Sequence, residues 1–124
     1  MKSNPVGWFE IYVQDIARAK AFYETVLAVS LQKLPGVEGI EMEAFPMEEN
    51  VAGCPGALVK MEGCCSGGNS TLVYFTCEDC ATEAGRVVAA GGKIFKDKFS
   101  IGQYGFIALA SDTEGNMFGL HSHR

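Results

Sequence analysis

The chain has 124 residues, a common size for one compact domain, and 48% of them are hydrophobic, enough for a core without disulfides or a structural metal. A formal net charge of −5 and a pI near 4.9 argue against non-specific binding to nucleic acid or to an anionic membrane surface. No apolar run reaches membrane-spanning length. Residues 1–5 lack a secretory-signal pattern, and five cysteines, odd in number with Cys64 and Cys65 adjacent, speak against a disulfide framework and for a reducing cytoplasm.

Phe9, Ile11 and Val13 alternate with Trp8, Glu10, Tyr12 and Gln14. The alternation predicts a strand with one face under a helix and the other lining a cavity. Asp15 is the expected N-cap of a helix over 16–27, where Ile16, Ala19, Tyr23, Val26 and Leu27 recur at helical spacing. Three short strands are expected next, around 29–34, 39–45 and 57–62, with a Pro- and Gly-containing loop over 46–56.

Residues 64–69 have linker chemistry. A second strand over 72–77 then places Val73, Phe75 and Cys77 on one face and Leu72, Tyr74 and Thr76 on the other. Asp79 caps a second predicted helix with an apolar stripe of Cys80, Ala84, Val87 and Val88, closed by Gly91-Gly92. Further strands are expected near 93–96, 105–110 and 117–122, the last two joined by a hairpin turn at 112–116. Each half therefore reads β-α-β-β-β: module 1 about 6–62, a linker 63–70, and module 2 about 71–122, within one domain spanning 1–124. One helix leaves a four-stranded sheet bare on its other face, so the halves cover each other, within the chain or across a dimer.

The strand from Trp8 to Asp15, the phrase from Ala21 to Leu27, the run from Ala89 to Lys93 and the segment from Ser111 to Leu120 resemble the vicinal oxygen chelate superfamily, which holds glyoxalase I, bleomycin-resistance proteins and extradiol dioxygenases. The resemblance spans the whole chain, with Ala28 where many relatives carry Gly and Thr113 where Pro is common. It implies an α+β fold in which two paired β-α-β-β-β modules form a curved half-barrel sheet with a cleft. It also implies a homodimer with two clefts. Metal-dependent members place His or Glu at four cleft-facing positions. Carried over, these fall on Trp8, Leu72, Gly119 and a position within 56–61, a segment without His, Asp, Glu or Cys. Such side chains do not hold a divalent cation, so no cofactor is expected.

Among the remaining residues, Glu10 and His121 share the cleft-facing parity and form the best candidate acid/base pair. A structural hydrogen bond for Glu10 and a solvated strand end for His121 are the plain alternatives. Trp8, Tyr12, Tyr74, Thr76 and Tyr104 complete an expected ligand-binding wall, with Gly119 opposite Trp8 to leave room for the indole. Ordinary packing is the alternative for these rings. Cys77 and Cys80 read as small core residues, Cys64 and Cys65 as exposed thiols, and His123 as a frayed end. Glu38, Glu41, Glu43, Glu48 and Glu49 read as a solvated acidic edge.

Three functions fit this pattern. The leading one is a metal-free, bleomycin-resistance-like binder of a small organic ligand. The others are a glyoxalase-type lyase or isomerase using Glu10 and His121, and a non-catalytic dimeric interaction module. Nucleic-acid and membrane partners are not expected.

Overall fold

The computed structural model describes residues 4, 6–35, 38–68 and 71–124. Most of the N-terminal stretch read for a signal, and the linker positions 69 and 70, lie outside the described residues. The elements run β1 (Phe9–Tyr12), α1 (Ile16–Leu27), β2 (Gln32–Lys33), β3 (Ile40–Ala44), β4 (Gly56–Met61), β5 (Tyr74–Thr76), α2 (Cys80–Val87), β6 (Lys93–Ser100), β7 (Phe106–Ser111) and β8 (Met117–Ser122). They build two four-stranded sheets of identical order, β1-β4-β3-β2 and β5-β8-β7-β6. In each, the first strand pairs in parallel with the fourth and the remaining pairs are antiparallel. The duplication read in the sequence is thus a duplication of topology.

Local chemistry accounts for both helix starts. Asp15 accepts the Arg18 N–H at 3.0 Å and Asp79 the Ala81 N–H at 3.0 Å, each satisfying an orphan donor of the first turn. Helix α1 closes through Ala28 at φ 54°, in the left-handed region usually given to glycine.

Four expectations need correction. Val88 does not join the apolar stripe of α2: the helix ends at Val87 and Val88 is 67% exposed. Val88 keeps helical angles (φ −65°, ψ −45°), and the chain reverses only at Gly91 (φ 103°), where the Gly92 N–H returns to the Val87 carbonyl at 3.0 Å. Strand β5 is shorter than 72–77, although Gly119 N–H to Val73 O (2.9 Å) and Cys77 N–H to His121 O (2.7 Å) carry the pairing with β8 beyond its ends. Strand β6 runs on to Ser100 rather than stopping near 96. Its register with β7 shifts twice, between Ile94 and Lys96 and again before Phe99, which hides the period-2 pattern. Glu43 is not part of a solvated edge: its side chain is largely buried and pairs with Lys20 of α1 at 3.2 Å.

The core lies where both helices and the helix-facing sides of both sheets meet. Tyr23 of α1 is its centre, with ring centroids 5.0–5.7 Å from Phe22, Phe45, Phe75 and Phe118. Phe45 comes from module 1, Phe75 and Phe118 from module 2. Edge-to-face and tilted aromatic packing of this kind adds to the area each ring buries. One shared core therefore covers the two helix-facing sheet surfaces together.

A polar clasp reinforces the same seam. The turn between β7 and β8 had the appearance of a plain hairpin, yet Asp112, Glu114 and Asn116 are all buried. Asp112 accepts the Tyr23 hydroxyl at 2.7 Å and the backbone N–H groups of Glu114 and Asn116 at 2.8 Å. Glu114 accepts the Gln14 and Asp15 N–H groups at 2.9 Å and the Arg18 guanidinium at 2.6 and 3.0 Å. Asn116 donates to the Tyr12 carbonyl at 3.0 Å and accepts from Gly67 N–H at 2.7 Å. Burial raises the Glu114 carboxyl pKa, but these donors outweigh it and bring it down to about 2.

Candidate functional site

Strand β1 presents Trp8 just before its start, then Glu10 and Tyr12, on the face opposite the core. Glu10 is exposed and held from both sides. Its Oε2 accepts the Trp8 indole N–H at 3.1 Å and its Oε1 accepts the Tyr12 hydroxyl at 2.8 Å. Alternation makes this possible, since positions i−2 and i+2 share a face. The bond to the Glu10 carboxylate lifts the Tyr12 hydroxyl pKa above its ordinary value. With both oxygens committed, Glu10 is an oriented acceptor flanked by two aromatic rings. It lines a cavity of about 180 Å³ at the seam of the modules, together with Tyr12, Tyr23, Thr71, Asn116 and Met117.

In the second sheet His121 sits on β8. Its Nε2 is 2.7 Å from the Tyr104 carbonyl. A carbonyl only accepts, so that nitrogen carries the proton and Nδ1 is left with the lone pair in the neutral ring. The His123 ring packs edge-on at 4.9 Å. His121 lines another cavity, of about 300 Å³, with Tyr74, Thr76, Ile101 and Ile107. Glu10 and His121 thus open onto different cavities within one chain.

The remaining expected wall residues divide in the same way. Trp8 is 38% exposed and does not plug the cleft. Tyr74 and Thr76 belong with His121. Tyr104 stands in a short turn, exposed, and contributes its carbonyl rather than its ring. Gly119 does not serve Trp8. It pairs with Tyr74 across β5 and β8, and a Cβ there would come within 2.3 Å of the Tyr74 ring. Gly56 opposite Phe9 is its counterpart in the first sheet, with a Cβ position 2.4 Å from that ring. The sequence signal for both was an aromatic residue one strand away from a glycine, legible only once the parallel register is known.

At the positions where the resemblance places metal ligands, the donor set does not fit a divalent cation. Trp8 offers an N–H already given to Glu10, and Leu72 a hydrocarbon. Gly119 lies under a tyrosine ring, and β4 holds Gly56, Ala57, Leu58, Val59, Lys60 and Met61. Among the described residues no three His, Cys, Asp or Glu side chains cluster as a metal site. Cys77 and Cys80 are buried, as read. Burial, and after it the charge of Glu83, pushes the Cys77 thiol up to about 12, so it stays protonated and unreactive.

The comparisons agree with this architecture. Residues 6–32 match the family model for bleomycin resistance protein-like N-terminal segments. Among solved structures, a hypothetical protein from S. aureus superposes with a TM-score of 0.72 at 16% identity, covering 98% of this chain and 95% of that one. A glyoxalase I mutant from Zea mays gives 0.75 at 22% identity over 96% of this chain and 46% of that one, so this chain spans about half of the maize enzyme. A glyoxalase/bleomycin resistance protein/dioxygenase family enzyme from Burkholderia phytofirmans PsJN gives 0.70 at 16% identity, covering 95% and 98%. No curated protein sequence matches the chain. The chain has the glyoxalase/bleomycin-resistance/dioxygenase fold.

Proposed function

We propose that this protein binds a small organic ligand after the manner of bleomycin-resistance proteins, in an aromatic cleft and without the superfamily metal. The observation that carries the reading is the pre-oriented Glu10 carboxylate, fixed between Trp8 and Tyr12 on an exposed sheet face. Holding an exposed side chain in one geometry costs rotamer freedom. A fixed acceptor beside two aromatic side chains is an arrangement that can anchor a hydrogen-bond donor while a planar body packs against the rings. Tyr74, Thr76 and His121 on the second sheet supply a matching wall with one basic nitrogen.

The reading includes a homodimer, because Glu10 and His121 face separate cavities in one chain and one cleft containing both needs a second copy. It also places the protein in the cytoplasm, from its five free cysteines. Among the described residues no helix is long and apolar enough to cross a membrane. The lyase reading requires Glu10 and His121 around one substrate, and the geometry of a single chain lends it no support.

Trp8 is the only tryptophan, so its fluorescence reports on the site directly. A panel of planar organic molecules with donor groups is expected to include compounds that change Trp8 emission saturably. Glu10→Gln should weaken those compounds by about tenfold, the worth of a hydrogen bond to a charged acceptor. Unchanged affinity in that variant, or no saturable response from any compound, would overturn the reading.

A further inference from the structure

Besides the cavities at Glu10 and His121, another hollow, of about 200 Å³, shares no residue with the first and only Thr76 with the second. Phe9, Phe45, Leu27 and Val29 of the first module and Phe75 of the second form its walls, and among the described residues Glu83 of α2 is the one charged residue in its lining. The Glu83 side chain is only 16% exposed, and its Oε1 is buried with no hydrogen-bond partner. Buried polar atoms are nearly always paired, and a buried carboxylate oxygen facing no donor is costly.

The neighbouring groups do not remove that cost. Arg86 approaches the other carboxylate oxygen no closer than 3.8 Å, while its Nε–H is given to the Val26 carbonyl at 3.0 Å. The Cys77 thiol is close enough for Glu83 to raise its pKa. That thiol, a weak donor, has one proton to divide between the Glu83 carboxylate and the Phe75 carbonyl at 3.6 Å. Glu43 makes the contrast plain: its Oε1 is also buried without a hydrogen bond, but the Lys20 ammonium stands 3.2 Å from it. At Glu83 the Arg86 guanidinium stands farther off, 3.8 Å from the other oxygen, and among the described residues Oε1 has no hydrogen-bond partner.

We propose that this hollow binds a small apolar amine, the ammonium on Glu83 and the hydrocarbon against Phe9, Phe45 and Phe75. The size selects the class, because an apolar cavity of about 150 Å³ accepts benzene and this one adds room for a short arm. Charge selects the head group. A protonated amine gives the orphan oxygen both a donor and a counter-charge. A carboxylic acid would be repelled, and a neutral hydrocarbon would leave Glu83 as it is.

The test uses benzylamine and its uncharged counterpart toluene, titrated into the full chain and followed by amide NMR. Benzylamine should shift the Phe9, Phe75 and Glu83 signals saturably and bind more tightly than toluene. Glu83→Gln, which keeps the shape and removes the charge, should weaken benzylamine about tenfold and leave toluene unchanged. Val29→Phe, which fills the hollow from its wall, should abolish both. Equal affinity for the two compounds overturns the proposal. So does a Glu83→Gln protein that binds benzylamine undiminished. Shifts confined to Glu10 and Tyr12, or no binding at millimolar concentration, overturn it as well.

Discussion

Glu114 and Arg18 stand 96 residues apart in the chain and 2.6 Å apart in the fold. The carboxylate is fully buried, and every donor that reaches it favours its charged form. Its pKa falls from 4.5 to about 2 on folding. A lowered carboxyl pKa stabilises the fold at pH above the unfolded value, and that contribution disappears as pH drops through the folded one. Stability from this group should therefore be complete above about pH 4.5 and decline toward pH 2, the full span being about 3 kcal/mol. Glu114→Gln should lose about 2–4 kcal/mol at pH 7, since it leaves the guanidinium and two backbone donors poorly met. Urea unfolding of both proteins between pH 7 and pH 2 checks this. The two stability curves should converge in acid, and parallel curves would refute the assignment.

At the scale of elements, the two helices show how far local rules reach. Caps at Asp15 and Asp79 and the apolar spacing of α1 are decided within one turn, and the structure keeps them. The close of α1 is less well served. Ala28 sits at φ 54°, ψ 48°, where a side chain bearing Cβ is strained and glycine is not. Ala28→Gly should raise the unfolding free energy by about 0.5–1 kcal/mol. Thermal melts of the variant would show it, and a lower melting temperature would mean that Ala28 makes a compensating contact. Strand β6 shows the opposite limit. Its lysines and its two register shifts suit an exposed sheet edge that must not pair with another chain, and they also conceal it as a strand.

For the whole molecule, the apolar residues left in the open are Trp8, Leu72, Tyr74, Phe95 and Tyr104 among others. Trp8, Leu72 and Tyr74 occupy the sheet faces turned away from the shared core. The homodimer of the proposed function would cover them if two copies paired through these faces. The protein should then scatter light in solution as twice 13.3 kDa, and Leu72→Glu should return it to the single mass while keeping its far-ultraviolet circular dichroism. A monomeric parent would remove the homodimer from the proposed function and leave ligand binding to be judged by Trp8 fluorescence.

Much of this molecule was legible before its structure. The strand-cap-helix unit, its repetition, the partition of Phe9, Ile11 and Val13 from Trp8, Glu10 and Tyr12, and the bounds of β8 all follow from side-chain periodicity and capping. Those depend on neighbours within about four residues. The rest was settled by pairings across the seam. Asp112, Glu114 and Asn116 read as a turn because their partners Tyr12, Gln14, Asp15, Arg18 and Tyr23 lie about ninety or more residues away. Gly119 answers to Tyr74 rather than Trp8 because strand register chooses its neighbour. Nothing local sets Glu83 apart in its helix; its burial comes from the packing of both modules around the hollow it lines. Sequence by itself determined the elements and the faces they present, since those are local free energies. Only the tertiary structure decided which faces meet, because the desolvation and hydrogen bonding of a buried group depend on what the rest of the chain places against it.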